Sequence, residues 1–186
     1  MFLTRNALIG DELVCVVPVP GEAPQPVSEQ GVSVVDVREE FARLPIDPGR
    51  LVMQPDMGYV LVNIETIAYV EAPAQTFDVT LLGIPVTMRA TPVSYSWDFG
   101  EGEPFTTTWP GAPYPNATVW RIYQRATAPG ETRRIALSTT WAGSFSVAGG
   151  PWQAIEGTVT TTSTTEPFTV ITARTYLTDG SEIGRR

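Results

Sequence analysis

The stretch Tyr95-Ser-Trp-Asp-Phe-Gly-Glu-Gly102 decides the fold of this chain. From residue 93 to residue 99 the odd-numbered residues are apolar, and the even-numbered residues Ser94, Ser96 and Asp98 are polar. Successive side chains of a strand point to opposite faces. We therefore expect a strand with one face in water and one face in the core, the latter formed by Val93, Tyr95, Trp97 and Phe99. Gly100 and Gly102 then predict a tight turn.

The composition around this strand is typical of an all-β protein. Of the 186 residues, 42% are apolar and only 17% are charged, against a usual charged share of about 25%. The 17 Pro and 16 Gly predict frequent turns, and the remaining polar surface is rich in Thr, which favours strands. We therefore expect an antiparallel β-sandwich of roughly seven strands.

The charge of the chain argues against two classes of partner. The net charge is −8, and all 12 basic residues are Arg. Binding to nucleic acid or to an anionic membrane surface needs clustered basic groups, so we expect neither. No stretch approaches the ~20 apolar residues of a membrane span. The N-terminus also lacks the pattern of a signal peptide. We therefore expect either that the protein is not exported by the signal-peptide route or that this sequence has a trimmed N-terminus.

The first 30 residues are expected to be an N-terminal segment and a linker. Pro18 to Gln30 holds four prolines, a composition typical of an extended linker. Cys15 is the single cysteine. It is either a small apolar residue of a Val-rich strand or a partner for a cysteine outside the chain.

Residues 33–44 are the one good helix candidate. Ser33 is placed to cap the helix and Asp36 to complete a capping box. An apolar stripe along one face predicts docking onto the sandwich; it consists of Val34, Val37, Phe41 and Leu44. From residue 51 onward strands and turns follow. Inward-facing residues alternate through Thr76–Leu82 and Ile84–Ala90 on either side of a turn at Gly83.

The strand that opens this section resembles the signature strand of PKD (polycystic-kidney-disease-type, immunoglobulin-like) domains, usually written Trp-Asp-Phe-Gly-Asp-Gly. The order of Thr118-Val-Trp-Arg-Ile-Tyr123, Pro129-Gly130 and Arg134 to Trp141 also matches that family. The resemblance covers roughly residues 76–178. It implies a core role for Trp97 and for Tyr123. Glu101 stands where the family has Asp, and no His precedes Tyr123.

The resemblance also implies a division of the chain and a setting. Residues 75–180 would form the PKD-like sandwich, residues 31–74 would add a helix and early strands packed on it, and residues 181–186 would be a tail. The whole is similar to actinobacterial secreted or cell-surface proteins of unassigned role. An extracellular or cell-surface location is therefore expected, and no particular ligand is implied.

Catalytic chemistry is hard to assemble from this sequence. The absence of His and Lys excludes a Ser-His-Asp triad, a Cys-His pair and Schiff-base chemistry. Paired carboxylates remain, with Asp98, Glu101 and Glu103 as candidates. Turn chemistry explains these residues more simply than an active site does. The same three carboxylates could bind calcium, with backbone carbonyls exposed beside Gly100 and Gly102; no other cofactor is indicated.

The loop that follows offers a different kind of site. Trp109 and Tyr114, together with Trp152 further along the chain, are candidate exposed aromatics suited to a protein or carbohydrate surface. The alternative is that Trp109 folds back over the edge of the sandwich. The sequence therefore predicts a non-catalytic binding or scaffold module. A structural component of a virion or surface appendage, and a carboxylate-based hydrolase accessory domain, are the two alternatives.

Overall fold

The structure is a computed structural model that describes residues 33–173 and the backbone of two short strands, β1 (Ala7–Ile9) and β2 (Glu12–Val14). These two strands pair antiparallel. The predictions for Cys15, for the linker at 18–30 and for the tail at 181–186 lie outside the described residues.

One helix, α1 (Val34–Arg43), begins the main described range. Ser33 caps it as predicted: the Ser33 hydroxyl accepts from the Asp36 N–H, and the Asp36 carboxylate accepts from the Ser33 N–H. The helix ends at Leu44, since Pro45 follows. Val37 and Phe41 are buried and Leu44 packs beside them, but Val34 is exposed. The predicted stripe is therefore wrong at Val34, which lies in the first turn.

Ten strands follow the helix. In chain order they are β3 (Arg50–Gln54), β4 (Tyr59–Leu61), β5 (Glu65–Glu71), β6 (Gln75–Leu81), β7 (Ile84–Asp98), β8 (Phe105–Thr107), β9 (Trp120–Ile122), β10 (Ala136–Val147), β11 (Gln153–Thr164) and β12 (Thr169–Ile171).

The large sheet has the order β11-β10-β7-β6, and β8 pairs with the far end of β7. All its pairs are antiparallel. β6 and β7 form a hairpin whose turn residues Leu82 and Gly83 both have positive φ, at 51° and 81°, as a two-residue turn of this twist requires. This confirms the turn expected at Gly83.

A β-bulge at Val93 divides strand β7. Thr140 pairs with Ser94, and the next residue, Trp141, pairs with Pro92, so Val93 has no partner on β10. Before the bulge the even residues face the core, and after it the odd residues do. Val93 itself is 40% exposed. Its predicted place on the core face is wrong, because the extra residue shifts the alternation by one. The other three, Tyr95, Trp97 and Phe99, are buried.

A smaller antiparallel sheet has the order β3-β5-β9. Beside it β4 and β12 form a short parallel pair. Parallel pairing of these strands is feasible because more than a hundred residues of chain separate them.

The buried side chains form two clusters on the inner face of the large sheet. In the first, Tyr95, Trp97 and Leu137 of the large sheet pack with Ala68 and Val70 of the small sheet. This cluster also draws in Tyr123 and Phe168. The cluster contains residues from the strands before residue 75, where the PKD-like sandwich was expected to begin, as well as from later strands. The early strands therefore supply one wall of the core.

The second cluster lies where helix α1 covers the other half of the same face. Phe41 packs there with Met88, Trp141 and Phe145. Gly143 lies beneath the helix, since a Cβ at that residue would come within 2.9 Å of the Phe41 ring. The described residues therefore form mostly antiparallel sheets with one short parallel pair and one short helix, which confirms the all-β class that the composition predicted.

Candidate binding surface

The turn after β7 is held by two arginines. The Arg121 guanidinium donates to the Glu101 carbonyl at 2.6 Å, and the Arg133 guanidinium donates to the Gly100 carbonyl at 2.5 Å. Arg133 also lies 3.6 Å from the Glu101 carboxylate. Asp98 accepts from the Gly100 N–H at 2.8 Å. The charged groups of this turn therefore serve its own conformation.

These contacts bear on the calcium hypothesis for Asp98, Glu101 and Glu103. Cationic guanidinium groups already occupy the backbone oxygens that a calcium ion would need. Across residues 33–173 no group of three or more His, Cys, Asp or Glu side chains is arranged to hold a metal. This geometry therefore gives the calcium hypothesis no support.

Tyr123 connects this turn to the core. Its hydroxyl donates to the Phe99 carbonyl at 2.7 Å, and its ring meets the Phe168 ring edge-on. The side chain is fully buried, and burial raises the pKa of the Tyr123 hydroxyl well above its ordinary value, with Arg133 acting in the opposite direction. A buried phenol that donates a hydrogen bond is a structural group, which agrees with the core role expected for Tyr123.

The outer face of the small sheet carries exposed aromatic residues. Ile67 on β5 pairs with Gln54 on one side and with Trp120 on the other, and directly paired residues share a face. The alternate residues Met53 and Ala68 lie in the core, so this row lies on the opposite face of the sheet, where Ile67 is itself buried at 7% exposure. Trp120 is 46% exposed.

Tyr114 is fixed beside this row by the side chain of Gln54. The Gln54 amide oxygen accepts from the Tyr114 N–H at 2.9 Å, although 60 residues separate the two. Tyr114 is 76% exposed. We call the surface formed by Gln54, Tyr69, Tyr114, Trp120 and Ile122 the aromatic face. Tyr69 and Ile122 belong to it by strand alternation and are partly buried.

The loop before Tyr114 is tied to the edge of the small sheet. The Val70 N–H donates to the Pro110 carbonyl at 2.8 Å. A Cβ at Gly111 would lie within 2.6 Å of the Ala68 carbonyl oxygen, and Gly111 has φ 77°, so only glycine fits. These contacts hold the loop, and Tyr114 with it, against β5.

The other two predicted aromatics lie elsewhere. Trp109 is 50% exposed, while its carbonyl accepts from the Thr107 hydroxyl at 2.7 Å. About half of its side chain is therefore covered and half is open to solvent. Trp152 lies in the β10–β11 loop, where the Arg89 guanidinium stacks 4.5 Å from its ring centre. Since Arg89 is on the large sheet, the structure divides the predicted aromatic set between two surfaces.

Trp120 and Gln54 were not predicted as site residues. A signal for Trp120 was present in the sequence, because it alternates with Val119 and Tyr123 in a strand whose Tyr123 was expected in the core. Strand alternation then points Trp120 outward. No signal in the sequence links Gln54 to Tyr114, because a hydrogen bond across 60 residues depends on the sheet register.

No helix in the described part of the chain is long and apolar enough to cross a membrane. Comparisons of the chain with protein-family models, with curated proteins and with solved structures find no match.

Proposed function

We propose that this protein is a non-catalytic binding module, located outside the cell or at its surface, that recognises a partner protein through the aromatic face. The observation that carries the proposal is the exposure of two aromatic residues at the small sheet: Trp120 on strand β9, and Tyr114 in the loop whose backbone is bonded to Gln54 of strand β3. Trp and Tyr are enriched in protein interfaces and among their hot spots.

The rigidity of this surface supports a binding role. Tyr and Trp offer a large contact area while losing little conformational entropy on binding. Here the Gln54 side chain holds the Tyr114 backbone, and β5 holds the backbone under Trp120. The backbone that carries both rings is thus held in place before a partner arrives, which lowers the cost of association.

The non-catalytic part of the proposal rests on the residues that the chain lacks and on the use of those it has. Without His or Lys, carboxylates would have to perform acid–base chemistry. In the turn after β7, Asp98 accepts from a backbone N–H and Glu101 faces Arg133. We also propose that the two sheets form a PKD-like or immunoglobulin-like sandwich, supported by the buried Trp97 and Tyr123. The extracellular setting rests on that resemblance.

The test first captures a partner by cross-linking and then compares the effects of substituting two equally exposed tryptophans, Trp120 and Trp152. Photo-crosslinking residues placed at position 114 or at position 152 would be exposed to the envelope and extracellular proteins of the producing cell. Any captured protein would be purified, and its affinity measured. We expect capture from position 114, and a loss of affinity of about tenfold or more in Trp120→Ser. Trp152→Ser is the control, because Trp152 is 45% exposed and Trp120 is 46% exposed.

Three outcomes would contradict the proposal. The first is affinity that survives both Trp120→Ser and Tyr114→Ser. The second is binding of a polysaccharide instead of a protein in a glycan-array measurement. The third is turnover of a glycosidase or peptidase substrate that Asp98→Asn abolishes, which would make the protein an enzyme.

A further inference from the structure

Strand β11 is a long edge of the large sheet, and its second half carries no charge. Within the described residues its one partner strand is β10, and its other side is open. Between Glu156 and Glu166 the sequence has no charged residue and no proline. Proteins ordinarily protect such edges with charges, prolines or very short strands, and β11, with 12 residues, has none of these over its Thr-rich part.

The ladder with β10 shows which residues face the open side. The Thr165 N–H donates to the Ile135 carbonyl at 3.0 Å, and these two residues stand opposite each other. In an antiparallel ladder, residues that bond to the partner alternate with residues that do not. The backbone groups directed to the open side therefore belong to Thr158, Thr160, Thr162 and Thr164.

We propose that this edge pairs with the same edge of a second copy of the chain, so that two large sheets join into one continuous sheet across a two-fold axis. An open row of N–H and C=O groups fits an added strand. Each copy carries a net charge of −8, so two copies repel least where an uncharged surface meets itself. Thr opposite Thr across strands is a favourable pair.

The charges that flank the edge select one register. A two-fold axis at Thr161 would bring Glu156, which lies in the bulge of β11, close to Glu166 of the other copy, and like charges brought together across strands are destabilising. An axis at Thr162 would pair Thr158 with Glu166, which lies beyond the end of the strand.

An axis at Thr160 avoids both problems. It pairs Thr160 with itself and Thr158 with Thr162, and forms roughly six backbone hydrogen bonds over this stretch. It also keeps the second copy centred away from the C-terminal end of β11. At that end Thr164 and Glu166 line a groove together with Arg50 and Met53.

The test measures self-association and register in the full chain. Sedimentation velocity over increasing concentration is expected to show a reversible dimer. Thr160→Pro removes the outward N–H at the axis without removing a bond to β10, and should weaken the dimer by about tenfold or more. Thr160→Ala retains that N–H and is the matched control, expected to leave the dimer intact. Thr160→Lys opposes two ammonium groups at the axis, and so tests the contact even if the proline variant fails to fold.

Cross-linking identifies the register. In a Cys15→Ser background, Thr160→Cys should form a disulfide-linked dimer on mild oxidation, because directly opposed residues of an antiparallel pair lie within disulfide reach. Thr158→Cys should not, since position 158 faces position 162 of the other copy. A protein that stays monomeric, a dimer unaffected by both Thr160→Pro and Thr160→Lys, or a dimer that Thr160→Cys does not cross-link would each overturn the proposal.

Discussion

The Tyr123 hydroxyl donates a 2.7 Å hydrogen bond to the Phe99 carbonyl, and both side chains are buried. The bond joins the segment after β9 to the last buried residue before the Gly100 turn. It explains how a turn held by Arg121 and Arg133 is also anchored to the core beneath it.

Removing that bond should destabilise the fold moderately. Tyr123→Phe retains the ring and leaves the Phe99 carbonyl without this donor, so we expect a loss of about 1–3 kcal/mol in the free energy of unfolding. Urea denaturation followed by fluorescence measures it. An unchanged midpoint in urea would show that the bond contributes nothing.

The same residue predicts instability at high pH. Burial raises the pKa of both Tyr123 and Tyr95, so the folded state keeps protons that the unfolded chain releases above pH ~10. The stabilisation is present below that pH and is lost as the pH rises from there towards the raised pKa of the folded state, with a slope of at most about 1.4 kcal/mol per pH unit for Tyr123. Tyr123→Phe should remove one such contribution, giving a shallower pH dependence in denaturation measured from pH 8 upward.

Thr107 connects two parts of the core by hydrogen bonds. The Trp97 indole N–H donates to the Thr107 hydroxyl at 2.9 Å, and that hydroxyl donates to the Trp109 carbonyl at 2.7 Å. Thr107→Val should cost about 1–3 kcal/mol, because a buried indole N–H loses its acceptor. Thr107→Ser keeps the hydroxyl, so its loss of stability should be clearly smaller. Thermal unfolding of both variants measures the two losses. Equal losses for the two variants would assign the effect to packing.

Val93 and Tyr95 look equivalent in the sequence, but they should respond differently to substitution. Val93→Ala at the exposed bulge is expected to change stability by no more than about 0.5 kcal/mol. Tyr95→Ala empties a core position and should cost about 3–5 kcal/mol. Comparable losses at the two positions would contradict the bulge.

Gly143 should be intolerant of even one added carbon. Gly143→Ala would place a Cβ 2.9 Å from the Phe41 ring and 3.0 Å from Ile155, so we expect a loss of about 1–3 kcal/mol through overpacking. Phe41→Leu shortens the opposing side chain and should partly restore stability in the double variant relative to the sum of the single changes. Strictly additive losses would show that helix α1 does not press on Gly143.

Much of the local structure could be predicted from the sequence. The capping box at Ser33 and Asp36, the turn at Gly83 and the inward alternation of Tyr95, Trp97 and Phe99 each depend on neighbouring residues. The candidate site was predicted less well. Trp109, Tyr114 and Trp152 are all partly exposed, but Tyr114 has its structural partners on the small sheet and Trp152 has its partner on the large one.

What the sequence by itself determined is the all-β class, the helix and most of the inward-facing positions, because period and turn chemistry are short-range properties of the chain. Only the tertiary structure decided the bulge that exposes Val93, the bond between Gln54 and Tyr114, and the edge at Thr160 that no other described strand pairs with. Each of these depends on which strand lies beside which and in what register. Register is set by contacts between residues far apart in the chain, and a pattern read along the chain does not contain them.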